Sequence, residues 1–342
     1  MKFSNNYIFY PDNKPLETAI AHYICLLDGQ VDDFAPDNTA VQDNFIHTRG
    51  NYEQHRYSNA LLVAARETLE ANLAETARER SPLDWAKLQN YLGNILAAIG
   101  QNMRDDALFE QAIVAFKQAL EEYSQEQLPL DWAATQYNLG TALQALGKQT
   151  KDSKLLKESV DAYTDALLEY KRELTPEQWS SSMFQLGESF HAHGKLLKGN
   201  RTFQKSVVAF KNALAELDAD NYPLELAATH NNRGAVLHHL AESEENTERL
   251  EEAIRFYDTA LTVCMEQQLP FHLAVLSRVN KGTARVALAE LSKDAALAEE
   301  AADEFELIIE CFPHALQPLC SKHCEEQFKI AKEMAKTLTL TG

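Results

Sequence analysis

Five prolines constrain this chain more than any other feature. Pro82, Pro129, Pro176, Pro223 and Pro270 stand 47 residues apart at every step, although the 342 residues hold only ten prolines. Their surroundings repeat with them. PLDW at 82–85 recurs as PLDW at 129–132, PEQW at 176–179, PLEL at 223–226 and PFHL at 270–273. A glycine follows eleven residues after the proline, at Gly93, Gly140, Gly187 and Gly234, and one residue late at Gly282. A second block then reads Ala112, Phe116, Ala119, Leu120. It returns as Ser159, Tyr163, Ala166, Leu167, as Ser206, Phe210, Ala213, Leu214 and as Ala253, Tyr257, Ala260, Leu261. The last copy, Ala301, Phe305, Ile308, Ile309, is again one residue late, so one residue is inserted between Pro270 and Gly282. Self-similarity at such a period marks stacked supersecondary units. One unit cannot bury its apolar stripe alone, and a stack of neighbours can.

Each unit reads as two helices. The first follows the proline, which suits a helix start because its missing N–H would lack a partner there anyway. Its apolar residues keep helical spacing, as in Trp132, Leu139, Leu143 and Leu146. Gly100, Gly147 and Gly194 are expected to cap its C-terminal end. The second helix carries the small–aromatic–Ala–Leu stripe, in which small residues allow close approach and the ring fills the space between helices. The recurring Trp85, Trp132 and Trp179 read as packing residues. Only 12 glycines accompany the ten prolines, too few for the frequent turns of an all-β sandwich or barrel.

The pair Leu139–Gly140, with Ser159, Tyr163, Ala166 and a proline near the unit end, resembles the tetratricopeptide repeat. The wording TQYNLGTALQALG at 135–147 is similar to the long bacterial variety and to kinesin light chains. The resemblance implies an all-α fold, a right-handed α-solenoid of stacked helix-turn-helix repeats. Five units are expected over 82–316, at 82–128, 129–175, 176–222, 223–269 and 270–316. Residues 1–81 are expected to form an N-terminal helical cap with a degenerate repeat, including helices over 15–28 and 55–80. Residues 317–342 are expected to form a capping helix from Pro318 to about Ala335. No linker or low-complexity tract interrupts the chain, which reads as one continuous array.

Charge narrows the function classes. Lys and Arg total 32 against 51 Asp and Glu, a net of −19. Such a field repels phosphate backbones and anionic lipid, so neither nucleic acid nor membrane is an expected partner. Five cysteines are too sparse for a disulfide framework and fit a reducing compartment, so a cytoplasmic location is expected. No signal sequence or spanning stretch is legible. GxSxG, Walker A, HExxH and GxGxxG motifs are absent, and no catalytic or cofactor site is expected.

The resemblance places the first helices along a concave groove. The residues expected to line it are Asn90 and Asn94, then Tyr137, Asn138, Thr141 and Gln144, then Phe184, Gln185, Glu188 and His191, and finally Asn231, Asn232, His238 and His239. Amides can hold an extended peptide backbone, and aromatic rings add flat apolar contact at low entropy cost. The alternative for Asn138 and Asn232 is a bond to a neighbouring helix. A carboxylate clamp of the chaperone-binding kind also needs Lys or Arg one turn before each Asn. Ala134, Ala228 and Leu276 stand there, and only Lys87 is basic. The chain thus reads as a non-catalytic interaction scaffold or regulator whose partner is a protein or peptide, not an acidic one. The alternative is a small-ligand or pH sensor built on the histidines of the third and fourth units. No metal is expected. The nearest pattern to a zinc site is Cys311, His314, Cys320 and His323, spaced C-x2-H…C-x2-H.

Overall fold

The computed structural model describes residues 52–269, 271–312 and 318–341. Among these residues the structure is helical throughout, with no strand. Helix α1 (Tyr52–Glu75) precedes five helix pairs. These are α2 (Pro82–Met103) with α3 (Asp106–Ala119), α4 (Pro129–Thr150) with α5 (Ser153–Ala166), α6 (Pro176–Leu197) with α7 (Asn200–Ala213), α8 (Pro223–Glu244) with α9 (Thr247–Glu266), and α10 (Phe271–Ser292) with α11 (Ala295–Cys311). Helix α12 (Pro318–Thr341) follows and runs a turn or more beyond the expected Ala335. The expected helix over 15–28 lies outside the described residues.

The chain divides into two compact units at Leu196–Leu197, the last residues of α6. In the first, α1 packs on α2, α2 on α3, α3 on α4 and α4 on α5, and α2 also meets α4. In the second, α7 packs on α8, α8 on α9, α9 on α10, α10 on α11 and α11 on α12. There α8 also meets α10, and α10 meets α12. Within each unit these helices thus pack on their chain neighbours, and first helices touch first helices, the contact pattern of a helical repeat array.

Sequence explains the helix starts. Pro82, Pro129 and Pro223 occupy the first turn of α2, α4 and α8. The second helices start on side-chain caps. The backbone N–H groups of Ala107, Lys154, Arg249 and Ala296 donate to Asp105, Asp152, Asn246 and Asp294 at 2.9, 2.7, 3.0 and 2.9 Å. Gly199 holds the same place before α7 and has no side chain to offer.

The helix ends differ from expectation. Gly100, Gly147 and Gly194 lie inside their helices, which continue to Met103, Thr150 and Leu197. The left-handed residues come just afterwards, at Arg104, Lys151, Lys198, Glu245 and Lys293, with φ of 50–56°. Beyond them the N–H groups of Asp105 and Asp152 close back on the carbonyls of Gly100 and Gly147 at 2.9 and 3.0 Å. At Gly100 and Gly147 packing is what favours glycine. A Cβ at Gly147 would stand 3.0 Å from Leu156, and one at Gly100 would stand 3.3 Å from Leu108.

In four of the five pairs a glycine of the first helix meets an aromatic ring of the second. A Cβ would fall 2.6 Å from Phe116 at Gly93 and 2.9 Å from Tyr163 at Gly140. It would fall 2.8 Å from Tyr257 at Gly234 and 2.9 Å from Phe305 at Gly282. These four rings are at most 1% exposed. The tryptophans pack at the edge of the first unit. Trp132 lies against Ala86, Ala119 and Tyr123, Trp179 against Ala133, Ala166 and Tyr170. The guanidinium groups of Arg78 and Arg172 sit over Trp85 and Trp179 at 4.6 and 5.5 Å. No described helix is long and apolar enough to cross a membrane.

Two substitutions test this account by urea denaturation. Gly140→Ala is expected to cost about 1–3 kcal/mol through overpacking against Tyr163. Gly199→Asp is expected to gain about 1 kcal/mol by supplying the cap that α7 lacks.

Candidate functional site

All fourteen candidate groove residues lie on the first helices α2, α4, α6 and α8. Asn94, Gln144, Phe184, Gln185, Glu188, His191, Asn231, Asn232, His238 and His239 are buried. Asn90, Tyr137, Asn138 and Thr141 stay half-buried. The half-open residues all belong to the first unit and share a bonding pattern. Asn138 Nδ2 donates to Asn90 Oδ1 at 3.2 Å, joining α4 to α2. Thr141 Oγ1 lies 3.0 Å from the Tyr163 hydroxyl, and the Tyr137 ring meets the Tyr163 ring edge-on at 5.5 Å. On α2 the Lys87 ammonium lies over the Tyr91 ring at 5.8 Å.

Behind this patch the first unit carries a buried polar chain. Gln144 Nε2 donates to the Gln185 carbonyl at 3.0 Å and to Ser189 Oγ at 2.9 Å. Ser159 Oγ, on α5, stands 2.9 Å from the same Ser189 hydroxyl. Lys148 Nζ donates to Gln144 Oε1 at 2.7 Å and to Glu188 Oε2 at 3.2 Å. The Glu188 side chain is fully buried, so its charge depends on such pairing. Lys148 and Ser189 were not visible as members of this chain from spacing. Only the recurrence of polar residues on α4 and α6, where apolar ones would serve packing, hints at it.

The second unit holds an amide cluster. Asn231 Oδ1 accepts from Ser277 Oγ at 3.2 Å and from Asn280 Nδ2 at 3.0 Å, joining α8 to α10, while Asn231 Nδ2 donates to Asn232 Oδ1 at 3.0 Å. One turn on, four groups converge. His238 is fully buried, and neither ring nitrogen has a hydrogen-bond partner. Glu242 carboxylate oxygens lie 3.7 Å from His238 Nε2 and 3.6 Å from His239 Nδ1. His239 stacks on Phe203 at 5.5 Å, and His323 of α12 lies 3.0 Å from Thr283 of α10. Burial pushes His238 down to about 4 against the weaker upward pull of Glu242. His230, stacked on Phe256 at 5.6 Å with Arg233 over the same ring at 4.2 Å, is also pushed down to about 4 by burial.

The C-terminal Cys and His residues part company where they are described. Cys311 is exposed, His323 engages Thr283, and Cys324 is fully buried in the apolar contact between α11 and α12. His314 and the side chain of Cys320 lie outside the described residues. No three His, Cys, Asp or Glu side chains among the described residues are placed to hold a metal ion.

No family model and no curated protein matches the chain. One similar solved structure is the TPR2AB-domain:pHSP90 complex of yeast Sti1, at 14% identity and a TM-score of 0.27. The match covers 79% of this chain and 99% of that one. The architecture described above rests on this chain's own helix pairs and not on that likeness.

Two stability measurements probe these networks. Asn231→Ala is expected to cost about 2 kcal/mol, because it strips an acceptor from two buried donors. Lys148→Met is expected to cost about 2 kcal/mol by removing one of the cationic partners of the buried Glu188 carboxylate, and adding Glu188→Gln to it should restore part of the loss.

Proposed function

We propose that this chain is a non-catalytic scaffold or regulator that holds a segment of a partner protein against its tetratricopeptide-like first helices. One observation carries the reading. The half-buried group of Asn90, Tyr137, Asn138 and Thr141 combines amide side chains with an aromatic ring on two first helices, α2 and α4, that are joined by the Asn138–Asn90 bond. Amides and tyrosine rings suit an extended backbone with modest side-chain preference. The buried candidates, from Gln144 to His239, then act by fixing the helices that present this patch rather than by touching the partner. A net charge of −19 favours a neutral or basic segment and speaks against an acidic peptide, a nucleic acid or an anionic membrane. A cytoplasmic setting belongs to the same reading.

A second reading, a small-ligand or pH sensor, draws on the unpartnered His238 in the second unit. A thermal-shift screen against small metabolites would favour it by a strong, saturable hit.

The scaffold reading is tested by affinity capture from native cells with wild-type protein and the double variant Tyr137→Ala, Asn138→Ala. The variant loses the Tyr137–Tyr163 ring contact and the Asn138–Asn90 bond, so it is compared only at a temperature at which its helicity by circular dichroism matches wild type. Partner recovery is expected to fall at least about ten-fold, the size of effect usual for truncating central interface residues. Full recovery with the folded variant would sink the patch as the binding surface.

A further inference from the structure

Three tryptophans hold one repeat place at the start of a first helix, and the chain treats one of them differently. Trp85, Trp132 and Trp179 follow at 47-residue steps, and Arg78, Gln125 and Arg172 follow at the same steps seven residues before them. The Arg78 guanidinium carbon lies 4.6 Å from the centre of the Trp85 ring, and that of Arg172 lies 5.5 Å from the centre of the Trp179 ring. Gln125 carries no charge, and among the described residues no cation lies over Trp132.

Hydrogen bonding shows what the glutamine leaves out. At the first tryptophan Arg78 Nε donates to Glu122 Oε1 at 2.5 Å, and Arg78 Nη2 lies 2.8 Å from Glu121 Oε2. At the second, Gln125 Nε2 donates to Glu169 Oε1 at 2.6 Å, and Glu169 is the repeat counterpart of Glu122. The glutamine nitrogen thus repeats the bond of the arginine Nε, and the side chain ends there. The guanidinium carbon and its two terminal nitrogens have no counterpart over Trp132. Those are the atoms that bring the cation to the indole.

The surroundings suit such a cation. Neither Glu169 nor Asp131, the chain neighbour of Trp132, has a cationic partner among the described residues. Leu168 stands in the repeat place of Glu121 and is exposed, as is Leu130 two residues before Trp132. Trp132 itself is half-buried and packs on Ala86, Ala119 and Tyr123. An indole face attracts a planar cation, a carboxylate accepts its N–H groups, and aliphatic surface covers a methylene stem. We propose that Trp132 and Glu169 form a docking site for an arginine side chain of a basic partner segment. At the neighbouring tryptophans Arg78 and Arg172 fill the same place from within the chain. The net charge of −19 favours such a segment. The proposal rests on the partner-binding reading for the existence of a partner and adds to it a second contact of stated chemistry.

The site is tested on the full chain without any partner, so its failure stays distinct from failure of the patch at Tyr137 and Asn138. Isotope-labelled indoles give three side-chain N–H signals in nuclear magnetic resonance, assigned by single Trp→Phe variants. N-acetyl-L-arginine amide is titrated at constant ionic strength, with its neutral isostere N-acetyl-L-citrulline amide as control. The Trp132 signal should shift saturably, and the arginine compound should bind at least about three-fold more tightly than the citrulline compound, the size of a cation's gain on an exposed ring. The Trp85 and Trp179 signals should move little, because those rings already carry a guanidinium. Gln125→Arg supplies the missing group from within and should abolish the Trp132 response, and Glu169→Gln should weaken it several-fold. Helicity by circular dichroism checks that both variants are folded. A Trp132 signal that does not shift saturably would overturn the proposal. So would equal shifts at all three indoles, equal binding of the two compounds, or an undiminished response in folded Gln125→Arg.

Discussion

Everything in this molecule depends on a place where a side chain is missing. Gly93, Gly140, Gly234 and Gly282 each receive the face of an aromatic ring from the second helix of their own pair, closer than a Cβ would allow. That contact brings the two helices of a pair together and buries Phe116, Tyr163, Tyr257 and Phe305 almost completely. With the ring seated, Ala and Leu on either side fall into register, and the pair presents a continuous stripe to the next pair. The two-residue connection between helices is then fixed by length alone. It is short enough to force a left-handed residue even where the chain supplies Arg, Lys or Glu, a conformation that favours glycine and is tolerated when surrounding structure determines it.

The first helices carry a second layer of constraint. Buried amides and hydroxyls are costly unless paired, and here several are paired across helices: Asn280 and Ser277 with Asn231, and Gln144 with Ser189, as is the half-buried Asn138 with Asn90. These bonds add specificity where apolar contacts alone would let helices slide. The same demand leaves His238 as an exception, buried and without a hydrogen bond. Its neutral ring is tolerated because desolvation keeps it uncharged.

Much of this was legible in the sequence. The proline step located the starts of α2, α4, α6 and α8, and the small–aromatic–Ala–Leu block located the second helices. Asn138 illustrates the limit. Its position was readable, but whether it faces a ligand or a neighbouring helix depends on the distance between helices, which periodicity does not encode. The glycines at 100, 147 and 194 fail for a related reason. Sequence offers two uses for a helix-end glycine, a cap or a close approach, and at Gly100 and Gly147 Leu108 and Leu156 decide for the second. Lys148 with Glu188, and His323 with Thr283, lie 40 residues apart. Their meeting follows from stacking geometry and from no local signal.

The tryptophans stand at one repeat place and only in the first unit, at Trp85, Trp132 and Trp179. The later units carry Leu226 and Leu273 where the indole would stand. Intrinsic emission excited at the red edge of the spectrum therefore reports on residues 52–196 alone. The half that holds the histidine cluster contributes two tyrosines, Tyr222 and the buried Tyr257. Light alone thus separates the two halves of the molecule, with no dye attached to either.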